Sequence, residues 1–345
     1  MCHFVKFPFA PAYAAGIHLL IGGFLAYYFF FPEARMSQRN LLVFRRLCGA
    51  ALLIAMISLL AMSQESKSVA LELDHASVCG SNLDALRQAF TDVGLTPDFG
   101  GPHSNGVTQM ALVGFDDESY LELIAPVKAG VTEGSDWSKF LAADASPCAW
   151  AVGTNVLLQE VDRLKKAGIA VKNPEQGSRK RPDGMSVTWT TADVGSGTRG
   201  SILPFVIEDQ TPRAWRVQPS DSVKGAPVFG LESVVLGVNN LDSAIALFRK
   251  AYGWSEPLVE NQKDFGKLAY FPGEPVILAA ANGGWLSDRI SKFGEAPVAY
   301  LLGTRDFNAA AKKYKLSGAK TWFGQRVAWF DASKLKGVRL GVIGE

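Results

Sequence analysis

The sequence predicts an α+β fold: four copies of one βαβββ module, preceded by an N-terminal apolar region. Three observations carry this. A short apolar strand, an amphipathic helix and a glycine follow one another four times along the chain. The copies recur about every 70–80 residues, too long for a solenoid unit and right for a small βαβββ module. The helices are followed by pairs of strand-like runs, whereas generic α/β alternation would set a helix after nearly every strand.

The first copy reads Leu73-Asp74-His75-Ala76-Ser77-Val78, then a helix over 82–93, then Gly94. Leu83, Leu86, Phe90 and Val93 recur at helical spacing and give that helix one apolar face. Asn82 stands where a side-chain oxygen caps free N–H groups, and Asp84 suits the positive end of the helix dipole. Strand-like runs follow at 107–115 and 119–124. The second copy begins Ala149-Trp150-Ala151-Val152, with its helix over 155–167 and then Gly168. The third begins at 231–236, with Asn240 as cap, an apolar stripe of Leu241, Ile245, Phe248 and Tyr252, and Gly253. Its strand-like pair is 267–271 with 276–280. The fourth begins at 298–302, with its helix over 306–317 and Gly318. A glycine after a helix can take the left-handed conformation that ends it.

The N-terminal region, 1–66, is a different material. Residues 7–31 and 47–62 contain no Asp, Glu, Lys or Arg, and Arg35, Arg39, Arg45 and Arg46 lie between them. Two readings stay open. A hairpin of two membrane spans would keep the arginines cytoplasmic and both ends outside, with Tyr27–Phe31 at the interface. Alternatively Met36 starts a signal peptide with its apolar core at 47–62. Both export everything after Ser63, so the protein is expected to be membrane-anchored or exported, its folded part extracytoplasmic. A buried hairpin in a cytoplasmic protein is the bland alternative. Cys79 and Cys148 could then bridge in an oxidising compartment. A net charge of +2 gives no sign of nucleic-acid binding. No CxxC or HExxH occurs, which excludes zinc-finger and zincin readings.

Leu73-Asp74-His75-Ala76, the following helix, Gly100-Gly101-Pro102-His103-Ser104-Asn105-Gly106, Tyr120-Leu121-Glu122-Leu123-Ile124-Ala125-Pro126 and Ile202–Glu208 resemble the glyoxalase-like branch of the vicinal oxygen chelate superfamily. The resemblance implies that paired modules curl their sheets around a cup that commonly holds a divalent metal. It implies a glyoxalase-like domain over 70–209, a linker over 210–226 and a second, degenerate domain over 227–345. Ligands would come from the first and last strands of each module: His75, Glu122 and Glu208. Fe, Mn, Ni or Zn would suit such donors and would polarise vicinal oxygens. Trp150 stands where a further histidine or glutamine would be wanted. His103, in a Gly-Pro-rich loop, is a candidate substrate contact or base.

The second domain has no histidine and has Ser233 where His75 aligns, so it reads as a brace or a holder of an apolar ligand. Its tryptophans, Trp254, Trp285, Trp322 and Trp329, read first as core. The basic run 178–182 reads as a solvated loop, with a clamp on a ligand carboxylate or phosphate as the sharper alternative. The glycine-rich 195–200 lacks a phosphate loop's Gly-Lys-Ser/Thr and reads as a hairpin tip. The expected function is small-molecule chemistry in the first cup with a divalent metal. The rivals are a non-catalytic binder that sequesters its ligand and a membrane-tethered scaffold.

Overall fold

The strands that open the four modules pair at the centres of two eight-stranded mixed sheets. The computed structural model describes residues 68–345. The expected apolar region at 1–66, with its span and signal-peptide readings, lies outside the described residues. Among the described residues no helix is long and apolar enough to cross a membrane.

The first sheet contains β1 (Leu73–Cys79), β2 (Asp98–Pro102), β3 (Thr108–Gly114), β4 (Tyr120–Pro126), β5 (Ala149–Gly153), β6 (Glu175–Lys180), β7 (Ser186–Ala192) and β8 (Phe205–Asp209). Its order is β2-β3-β4-β1-β5-β8-β7-β6. The second contains β9 (Val228–Val238), β10 (Leu258–Gln262), β11 (Gly266–Tyr270), β12 (Val276–Ala280), β13 (Ala296–Thr304), β14 (Lys320–Trp322), β15 (Gln325–Trp329) and β16 (Leu340–Gly344). It repeats the same order, β10-β11-β12-β9-β13-β16-β15-β14. The module pattern is therefore present four times.

The helices are α1 (Leu83–Asp92), α2 (Ser138–Ala142), α3 (Leu157–Lys166), α4 (Arg213–Arg216), α5 (Leu241–Tyr252), α6 (Gly284–Phe293) and α7 (Phe307–Tyr314). The caps act as expected: Asn82 and Asn240 each accept a backbone N–H at 2.8 Å. Gly253 ends α5 with φ +70°. The fourth helix departs from expectation. Lys315 takes the left-handed conformation, φ +52°, and α7 stops at Tyr314, before Gly318 is reached. Helices α2, α4 and α6 lie outside the repeat pattern and were not expected from it.

The sheets pack through one shared core. Ala76, Val78 and Trp150 from the first meet Val234, Leu236 and Tyr300 from the second, with Phe90 and Phe248 from the helices. The Tyr300 hydroxyl reaches the carbonyl oxygens of Ala149 (2.6 Å) and Ser77 (2.8 Å), pinning β13 to the first sheet's centre. On its other face the second sheet is filled by its own aromatic side chains: Phe265 packs on Trp322, Trp329 and Trp285 at centroid separations of 4.9, 5.1 and 5.2 Å. Trp254 belongs to the shared core. A disulfide joins Cys79, at the end of β1, to Cys148, just before β5.

The first sheet closes on itself. His103 forms an antiparallel bridge with Arg179, and Ser104 N donates to Ser178 O at 3.0 Å. His103 thus sits at a sheet seam, where the sequence suggested a free loop. Glycine is required here: Gly101 has φ +102°, and a Cβ on it would lie 2.4 Å from Lys180 O. Gly106, with φ +68°, has nothing within 4 Å of such a Cβ. Gly106→Ala should cost about 1–2 kcal/mol, the left-handed penalty alone. Gly101→Ala should cost clearly more, about 3 kcal/mol or above, since strain and a backbone clash combine. Urea unfolding of the two variants checks the order.

Candidate functional site

Alternation along β1 sends Ala76 and Val78 to the shared core and turns His75 and Ser77 into the cup of the first sheet. Strand β4 runs parallel beside β1 with Tyr120 opposite His75 and Glu122 opposite Ser77, so these side chains share that face. His75, Tyr120 and Glu122 line a cavity of about 190 Å³ together with His103, Arg179 and the aromatic walls Trp137, Trp189 and Phe205. His75 stacks on Tyr120 with ring centroids 4.7 Å apart.

A continuous polar row crosses the floor. His75 Nδ1 is 2.5 Å from Asp74 Oδ1, and His75 Nε2 is 3.4 Å from Glu122 Oε2. His103 Nε2 is 3.2 Å from Glu122 Oε1, and its Nδ1 is 2.8 Å from Thr108 Oγ1. Ser77 Oγ also donates to Glu122, at 3.4 Å. Asp74 and His75 are consecutive, so an unbroken strand would send them to opposite faces. The β1–β5 register shifts between Leu73 and His75, and this irregularity lets the two side chains meet.

Asp74 is anchored from the other side. Arg216 donates to both its oxygens, at 2.8 and 2.6 Å, and Arg213 donates to Oδ2. Arg216 also donates to Asp209 and, at 2.7 Å, to the Tyr120 hydroxyl. Burial alone would raise the Asp74 pKa; the Arg216 charge and hydrogen bonds, with those of His75, hold it well below the usual carboxylate value. Burial likewise opposes ionisation of Glu122, but the His103 hydrogen bond and the charges of His75, His103 and Arg179 bring it to about 2. Ionised Asp74 can only accept, so the proton on His75 Nδ1 must donate to it. That leaves Nε2 as the atom His75 presents to the cup.

The structure brings together His75, Glu122 and His103. Glu208 does not join them. Its strand neighbours Phe205 and Ile207 line the cavity, and alternation turns Glu208 to the other face. Trp150 also needs correction: it is wholly buried in the shared core, and the cup position opposite His75 on β5 is Ala151. The stretch 210–226, expected as a linker, carries α4, which supplies Arg213 and Arg216. The basic run 178–182 is largely strand β6, with Arg179 buried on the cavity wall. Arg179 lies in the run for which a ligand clamp was the sharper alternative; nothing in the sequence pattern marked Arg213, Arg216 or Asp74 as part of the site.

The family's metal finds no matching donor set. Among the described residues no group of three or more His, Cys, Asp or Glu side chains is arranged to hold a metal ion. On the second module's first and last strands, where the family's ligands are expected, the positions facing the cup are Ala151, Phe205 and Ile207, which offer no donor. The two imidazoles approach different oxygens of Glu122, and the buried Arg179 cation stands in the same cavity, where it would repel a second cation.

The family described as a glyoxalase-like domain matches residues 73–252, just over half of the chain. A search of curated protein sequences finds no match. Among solved structures, a hypothetical protein from Staphylococcus aureus is 14% identical, with a TM-score of 0.51 over 79% of this chain and 98% of that one. A triple mutant of 4-hydroxymandelate synthase from Streptomyces coelicolor is 12% identical, with a TM-score of 0.52 over 79% and 92% of the two chains. At these identities the likeness is one of fold, and its extent takes in both sheets.

The Glu122 pKa has a consequence for acid stability. Its folded value is about 2 against an ordinary 4.5. The stability it contributes is therefore complete above pH ~4.5 and lost as pH falls towards ~2, on the order of 3 kcal/mol in all. Urea unfolding from pH 7 to pH 2.5 should show wild type well above Glu122→Gln at neutral pH, with the gap closing in acid. A gap that does not depend on pH would contradict the buried anion.

Proposed function

This chain belongs to the glyoxalase-like domain family of the vicinal oxygen chelate superfamily, and from that premise we propose that the first sheet's cup binds a small molecule and moves a proton on it. The observation that carries this reading is the Asp74–His75 contact at the cavity floor, 2.5 Å long and buried. A carboxylate on Nδ1 orients the imidazole and fixes its tautomer, so that Nε2 is the basic atom offered to a ligand.

The direction of charge favours this chemistry. When Nε2 takes a proton, the imidazolium lies between two ionised carboxylates, Asp74 on one nitrogen and Glu122 beside the other. Both stabilise the cation as it forms, and neither has to reorganise. His103 holds Glu122 from its far side and keeps that charge in place. Asp74, His75 and Glu122 are buried, and that burial strengthens each of these interactions. The reaction class is proton transfer at a position next to an electron-withdrawing group, the step shared by isomerases and lyases. No step requires a metal.

A sequestering binder is the second reading. It is favoured by the loops tied over the cup, where Trp137 Nε1 donates to Arg199 O at 3.1 Å and the Arg199 guanidinium lies 4.0 Å above Phe205. The buried Cys79–Cys148 bridge supports an oxidising, extracytoplasmic setting for either reading.

Deuterium exchange separates the two readings. Full-length protein is incubated in D₂O with a panel of small carbonyl compounds, and label on carbon is followed by mass spectrometry. Exchange should survive a chelator and fall about 10²–10⁴-fold in His75→Gln, the usual share of a general acid–base group. Binding without exchange in wild type favours the binder. Stoichiometric metal that is lost in both His75→Ala and Glu122→Ala would contradict metal-free chemistry.

A further inference from the structure

We infer that the ligand of this cup is a small monocarboxylate and that Arg179 is the residue that recognises it. This rests on the reading of the cup as a small-molecule site. Arg179 is 5% exposed and lines the cavity. Its two terminal nitrogens donate to the carbonyl oxygens of Gly100 (2.5 Å) and Arg216 (2.6 Å). Those partners orient the guanidinium and carry no charge to offset it.

The other arginines at the cup are paired. Arg216 holds Asp74 and Asp209, and Arg199 holds Asp193 at 2.7 Å. Among the described residues no carboxylate forms a salt bridge with Arg179. Glu122 acts on it only through space, because the oxygens of Glu122 are taken by Ser77 and His103. A buried cation without a partner is costly, and an incoming anion relieves that cost. A guanidinium has five N–H donors in a fixed fork, so three remain after the two carbonyl contacts, enough for a bidentate carboxylate.

Charge and size narrow the class. One unpaired cation balances one negative charge. A phosphate dianion would leave an excess charge in a cavity that already holds ionised Glu122. The volume of about 190 Å³ and the walls Trp137, Trp189 and Phe205 suit a compact, flat, apolar remainder. The basic run of the sequence thereby resolves into one inward side chain. Lys180 is exposed, and Arg181 pairs outside with Asp183 at 2.8 Å.

The test uses full-length protein with benzoate and phenylacetate, their neutral amides, and inorganic phosphate. Titration calorimetry and tryptophan fluorescence report binding, the latter because Trp137 and Trp189 line the cup. Each carboxylate should bind at least tenfold more tightly than its amide, and phosphate should neither bind nor compete. Arg179→Lys should lose that discrimination while the unfolding midpoint stays close to wild type. If Arg179→Lys fails to fold, the carboxylate–amide comparison in wild type decides alone. Amides that bind as well as carboxylates, a preference for phosphate, or no carboxylate binding at millimolar concentration would overturn the inference. Carboxylate binding together with no deuterium exchange on any enolisable compound of the carbonyl panel upholds it and overturns the acid–base reading. Exchange that treats amides and carboxylates alike does the reverse.

Discussion

A carboxylate buried as Asp74 is must be paired, and the way it is paired organises the site. Two arginines of α4 grip it from one side, and His75 Nδ1 meets it from the other. Removing one partner of such a group leaves an uncompensated buried charge, which costs about 3–5 kcal/mol. The segment after β8 is therefore held against the first sheet by charge as well as by packing. The same pairing decides which nitrogen of His75 faces the cavity. Geometry, stability and chemistry meet in one contact.

The two sheets share a topology and differ in what fills them. Phe265, Trp322, Trp329 and Trp285 occupy the second with apolar surface, which favours stability. The first keeps a polar row and an open cavity at the same place, and so gives up that stabilisation. Its neighbour supplies support: Tyr300 ties the sheet centres together, and Phe293 of α6 stacks on Phe140 of α2 at 4.9 Å. Arg289 of α6 adds a hydrogen bond to Pro147 O, close to the disulfide. The α2 loop carries Trp137, a wall of the cavity, so the second sheet helps to position the first sheet's site.

The fold was legible because amphipathic periodicity, caps and module spacing are local signals. The apolar stripe of 241–252 and the cap at Asn240 led to α5 as found. Fine register was not legible. Glu208 and Ile207 differ by one position, and one position inverts the face. Gly318 promised a helix stop that Lys315 made instead. His75 and Glu122 stood out through the family resemblance. Asp74 did not, because only an irregularity in strand pairing brings it onto its neighbour's ring. Arg213 and Arg216 were hidden in a polar, proline-containing stretch that composition alone cannot tell from a linker. Arg179 lay in a run whose charge favours solvent, and the clamp alternative named the run without telling which of its side chains turns inward.

The central claim is that ionised Asp74 keeps a proton on His75 Nδ1 and turns Nε2 towards the cup. Nitrogen-15 correlation spectra of the imidazole rings measure this directly, and the chain has only four histidines to assign. At neutral pH, His75 should show a protonated Nδ1 in a strong hydrogen bond, and Asp74→Asn should weaken or abolish that signature. A His75 in wild type whose Nδ1 carries no proton would contradict the claim.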